Sequence, residues 1–108
     1  MSYSSIIRAT ALEYKTIRKR VLEGINLEVP RGIREAAAFK NQLVSDYGTY
    51  LKVAGDLHKM LSDMGDFGWA TIVGNDRRQL SRHYKGVLRK LDDILLSNNP
   101  AGARGCSV

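Results

Sequence analysis

Leu43, Tyr47, Tyr50, Ala54, Leu57, Leu61 and Met64 recur at alternating spacings of four and three, and this pattern restricts the fold more than anything else in the chain. Side chains spaced this way return to one side of an α-helix at every turn, whereas on a strand they would alternate between faces. The pattern predicts one long helix over residues 31–64, with a heptad seam along it. Phe39, Val44, Leu51, Val53 and Met60 flank the seam, so the apolar face is wider than a two-stranded coiled coil uses and suits a helix inside a bundle. Gly48 and Gly55 lie seven apart, with Ser62 continuing the row. Each glycine costs about 1 kcal/mol relative to alanine in a helix interior, which predicts either close approach of another helix or a break near Gly48.

Two further helices bracket the long one. The first is predicted to start from an N-cap at Ser4 or Ser5, with Ile7, Ala11, Tyr14, Ile17, Val21 and Ile25 as its apolar stripe. Gly24 and the stretch ending at Pro30 interrupt that stripe, because proline forces the preceding Val29 toward extended backbone. Residues 65–75, GDFGWATIVGN, read as a glycine-rich connection. Asp76 followed by Gln79 reads as a capping box opening the last helix, whose buried face would be Leu80, Tyr84, Val87, Leu91, Ile94 and Leu95. The final residues lack any period and abound in helix breakers. The expected architecture is therefore all-α. A helical bundle domain over residues 1–98 would hold three main helices, the long central one packing on the other two, followed by an irregular C-terminal tail over 99–108.

Several activities lose their chemical basis at this stage. No apolar run reaches the roughly 18 residues of a membrane span. Cys106 is the only cysteine, so an internal disulfide and a cysteine-based zinc cluster are both excluded, and a reducing intracellular compartment is expected. Cytoplasm, virion or organelle matrix would each satisfy that. The first twenty residues are rich in Ser and Arg with one acid, Glu13, the composition of a transit peptide, but they also have the spacing of a core helix, which is the reading adopted. Asp66-Phe67-Gly68 matches the kinase magnesium motif in letters alone, since neither a glycine-rich phosphate loop nor a catalytic-loop signature accompanies it. His58 and His83 fall on different predicted helices, and His58 reads as a partly buried structural residue beside the seam. No catalytic residue, metal site, cofactor or small-molecule substrate is expected. The chain is expected to act by binding, as a non-enzymatic subunit of a larger assembly.

Charge indicates what it would bind. The net charge is +6, and the middle of the chain is acidic between two basic flanks. Arg78, Arg82, Lys85 and Arg89 follow one another at four, three and four, with no acid between Arg77 and Lys90. They form a stripe on the last predicted helix. With Arg77 and Arg78 in what would be its first turn, cations oppose the helix dipole, and a helix N-terminus with arginines is an anion site. Arg77, Arg78, Arg82, Lys85 and Arg89 are thus the candidate contacts to nucleic-acid phosphate, made with little reading of bases. The alternative is a protein-only adaptor or oligomeric subunit that associates through the seam, with Tyr47, Tyr50, Ala54, Leu57 and Trp69 as its interface. Tyr14-Lys15 followed by Ile17, then Phe39-Lys40-Asn41, resembles the mitochondrial LYR-motif proteins, although Glu13 stands where that motif has leucine. The resemblance implies a small basic helical assembly adaptor.

Overall fold

The computed structural model describes residues 3–97, which form three helices: α1 (Tyr3–Asn26), α2 (Ile33–Asp63) and α3 (Phe67–Ser97). No strand occurs among the described residues. The predicted tail 99–108, with Cys106, lies outside them. Short connections reverse the chain twice, as antiparallel bundle neighbours require. The body measures 58 × 22 × 20 Å, and α2 alone, at about 1.5 Å per residue, spans most of its length. The central helix packs against both others, while α1 and α3 meet only sparsely.

Burial follows the apolar periods. Leu43, Tyr47, Tyr50, Ala54, Leu57 and Leu61 are buried along α2, as are Tyr14, Ile17 and Val21 on α1 and Leu80, Val87 and Leu91 on α3. The seam is thereby occupied by the chain's own helices. This corrects the expectation that Tyr47, Tyr50, Ala54 and Leu57 form an interface: α1 and α3 already cover them, and exposing them would forfeit the apolar burial that drives folding. Met64, the last seam position, is exposed because the helix ends there.

The glycine-rich segment 65–75 differs most from expectation. Only residues 64–66 form the turn; from Phe67 onward the segment is helix. Gly65 has φ +82°, the left-handed conformation that glycine adopts without steric cost. Its N–H donates to the Ser62 carbonyl (3.0 Å) and that of Asp66 to the Leu61 carbonyl (2.9 Å), the paired bonds of a Schellman cap. Asp66 then accepts from the Trp69 N–H at 3.3 Å through Oδ1, so it is the N-cap of α3. The capping role assigned to Asp76 belongs ten residues earlier, to the acid of Asp66-Phe67-Gly68. Ala70 and Val73 are buried and extend the apolar face of α3 through the glycines. Trp69 is 59% exposed and caps no core.

Asp76 instead sits within the first third of α3, facing α1 and α2. Its side chain is only 12% exposed, and a buried carboxylate without partners would cost several kcal/mol. Three donors supply the compensation. Tyr50 Oη donates to Oδ2 at 2.7 Å, Tyr14 Oη donates to the same oxygen, and Arg18 Nε donates to Oδ1 at 2.9 Å. A series of tyrosine contacts links the helices, from Tyr14 to Tyr50 (centroids 5.9 Å apart), Tyr50 to Tyr47 (5.9 Å), and Tyr47 stacked on Tyr84 (3.7 Å). Burial, then the hydrogen bond to Asp76, pushes the Tyr14 phenol up to about 12 and the Tyr50 phenol up strongly. Neither tyrosine is a base or a nucleophile at neutral pH, so the cluster is a lock between helices.

The other glycines have separate explanations. A Cβ on Gly24 would lie 3.0 Å from Leu43 Cδ1, so this glycine lets α1 approach α2 closely, and α1 runs through it without a break. Gly48 and Gly55 have nothing within 4 Å of an added Cβ. The central helix is continuous there, and no other described helix approaches within 4 Å of that added Cβ.

Three outcomes are expected in urea unfolding monitored by circular dichroism. Gly48→Ala and Gly55→Ala should each stabilise by about 0.5–1 kcal/mol, while Gly24→Ala should not and Gly65→Ala should cost about 1 kcal/mol. Equal gains at all four positions would contradict the assigned packing. Asp76→Ala should cost about 2–4 kcal/mol by leaving two phenols without their acceptor, more than Asp76→Asn. The raised tyrosine values also set an alkaline limit. A phenol whose pKa is higher in the folded state than its ordinary 10.0 contributes stability that is complete below pH 10 and is lost as pH rises toward 12. Stability should therefore fall between these pH values, with tyrosinate absorbance showing Tyr14 and Tyr50 among the last to ionise; an unchanged stability at pH 11 would refute the lock.

Candidate nucleic-acid interface

The basic stripe survives folding, although its surroundings differ from those read in the sequence. Because α3 starts at Phe67, Arg77 and Arg78 lie well inside it rather than in its first turn. Their backbone N–H groups are spent on intrahelical bonds, and the dipole effect confined to the terminal turn does not reach them. The predicted anion site at a helix N-terminus is therefore absent. What stands in its place is a row of side chains on a helix flank.

Arg78, Arg82, Lys85 and Arg89 are all exposed. From Arg78 to Arg89 the row extends about 16 Å along the helix at 1.5 Å per residue. The ion pairs among the described residues are Arg18 with Asp76 and Lys40 with Asp92 (2.7 Å), so no carboxylate neutralises the row. The polar contact along it is long and weak, Arg78 Nη1 donating to Asn75 Oδ1 at 3.4 Å. Four like charges this close repel one another modestly in water, and no attraction within the chain offsets the repulsion.

Beside the row, α2 and α3 enclose an open groove. Leu51 and His58 line it from α2, and Gly74, Arg77, Arg78 and Arg82 from α3. The half-buried Arg77 faces inward while the row faces out. No acidic residue lines this groove, whereas four other surface grooves contain Glu28 and Asp93, Glu23, Glu23 with Asp46, and Glu13. Across the interface the expected structural role of His58 fits its half-buried position, and its ring lies 3.9 Å from where a Gly74 Cβ would be.

The structure thus brings all five predicted cations onto one side: four are exposed, of which Arg78 and Arg82 also line the groove, and Arg77 is recessed in it. It removes Tyr47, Tyr50, Ala54 and Leu57 to the core and leaves Trp69 exposed. The contribution of α2 to the groove could not be read from the sequence, since Leu51 and His58 fall outside any charge pattern. On α1, the consecutive Arg18, Lys19 and Arg20 separate: Arg18 is tied to Asp76, and the other two are exposed.

Among the described residues no group of His, Cys, Asp and Glu is arranged to hold a metal ion, and no helix is long and apolar enough to cross a membrane. Neither a family model, a curated protein nor a solved structure matches the chain. The LYR-like residues gain no support from those comparisons. Tyr14, Ile17 and Lys40 serve α1–α2 packing and the Lys40–Asp92 ion pair.

Because the row makes no ion pair, removing its charge should leave the fold intact. The Arg82→Glu/Arg89→Glu double variant is expected to unfold within about 0.5 kcal/mol of wild type, as surface substitutions do; a loss of several kcal/mol would show that the row is structural.

Proposed function

We propose that this protein is a non-enzymatic helical subunit of a larger assembly that holds nucleic acid by its phosphate backbone, through Arg78, Arg82, Lys85 and Arg89. The observation carrying this reading is a row of four exposed cations without a carboxylate partner, beside a groove that also lacks acid. An amphipathic helix needs polar residues on its outer face, but it does not need four of one sign. In ordinary surface helices, acids interspersed at i±4 relieve the repulsion. Among the described residues the one acid at such a spacing, Asp93 four residues after Arg89, makes no ion pair, and relief along the row is left to a polyanion, whose binding releases its condensed counterions.

Phosphate contact without base recognition fits the side chains present. Arginine donates through a planar fork that matches phosphate oxygens, and three of the four are arginine. A straight helix flank set against a groove of nucleic acid would register on the backbone while reading no sequence. The alternative, a protein-only adaptor working through the central seam, loses ground because the seam lies inside the bundle. For a protein contact, the exposed Met64, Phe67, Trp69 and Ile72 around the α2–α3 turn offer one accessible apolar cluster.

Binding of labelled oligonucleotides across a salt series tests the reading. With four phosphates neutralised, log Kd against log salt should have a slope near 3 to 4, and the Arg82→Glu/Arg89→Glu variant should lose binding. Absence of binding by folded wild type at low salt would refute it.

A further inference from the structure

From the α2–α3 groove we infer a preference for unpaired nucleic acid: a single strand tracks the outward row with its phosphates and lays a nucleotide between the two helices. The inference rests on the phosphate-binding reading and adds the form of the ligand. Its starting point is Arg77. This side chain belongs to the same cationic surface, yet it is recessed and half-buried, lining the groove opposite Leu51 and His58. A duplex is stiff over about 150 bp and presents its phosphates on a convex cylinder. Laid along α3 it would meet the outward cations, but it could not send a phosphate or a base down between two packed helices. A single strand can, because its backbone bends at every nucleotide and its bases are free to turn inward.

The groove has the surfaces that an unpaired nucleotide uses. Arg77, Arg78 and Arg82 surround it with positive charge that no acid offsets, so a phosphate at its mouth is favoured and an acidic neighbour does not repel it. Arginine planes and the His58 ring are stacking partners for a base, and Leu51, 37% exposed, supplies an apolar wall. Gly74 keeps the α3 side low. The only contacts an added Cβ would make are with the His58 ring at 3.9 Å, so nothing in the packing of the bundle requires glycine there. A bulkier residue would cost the fold little and would obstruct the groove.

That property provides the test. Gly74→Leu fills the groove from α3, and Arg77→Gln removes its recessed charge; both variants are first checked for wild-type helicity and unfolding midpoint. Affinities are then measured for a labelled oligo(dT), an oligo(rU) of equal length and a duplex matched in phosphate number. Wild type should prefer the single strands, and each variant should lose about tenfold for them, the effect of about 1.4 kcal/mol, with duplex binding unchanged. Binding to neither form by folded wild type would overturn the phosphate reading itself. Equal affinity for both forms, or an equal loss for both in Gly74→Leu, would overturn the groove while leaving the outer row as the binding surface. Should Gly74→Leu fail to fold, the Arg77→Gln result decides in the same terms.

Discussion

The Asp76 carboxylate lies where three helices meet, and it joins α1 to α3 through Tyr14 and Arg18. Those two helices touch sparsely, each resting mainly on α2. A hydrophobic interface alone is non-directional, and two helices laid separately on a third could slide or rotate about it. The hydrogen bonds from Tyr14, Tyr50 and Arg18 set both the register and the rotation of α3. If α3 turned by one residue, about 100°, Asp76 would lose its partners and become an unpaired buried charge. Burial makes the lock demanding, since every donor must be present for the carboxylate to be tolerated.

That lock also determines which face of α3 looks outward. With Asp76, Leu80, Val87 and Leu91 turned inward, the side bearing Arg78, Arg82, Lys85 and Arg89 faces solvent, and Arg77 falls at the boundary with α2. The surface proposed to bind therefore follows from the packing of the core. The cations are held along a line by a helix that cannot rotate, so they are presented at fixed spacing.

Much of the bundle was legible because helical periodicity is a local property. The seam from Leu43 to Leu61, the stripe from Ile7 to Ile25 and the row from Arg78 to Arg89 can each be counted along the chain, and each keeps its face in the structure. The start of α3 was not legible. Three glycines near Trp69 have low helix propensity, and Asp76 with Gln79 imitates a cap. Packing of Ala70 and Val73 into the core, with the cap made by Asp66, outweighs a propensity deficit of about 1 kcal/mol per glycine. Moving the helix start back by three turns withdrew the N-terminal anion site, turned Asp76 from a cap into a part-buried junction between the helices and exposed Trp69.

By itself, the sequence determined the class of fold, the length and place of the central helix and the gathering of positive charge on one flank of the last helix. Each of these depends on residues within a few turns of one another. The tertiary structure decided which partners those faces receive. It spent the seam on α1 and α3, left Gly48 and Gly55 uncovered, joined residues 14, 18, 50 and 76, and set Leu51 and His58 opposite Arg77. Such pairings join positions dozens of residues apart, and they depend on how three helices share one limited apolar surface, which no local spacing encodes.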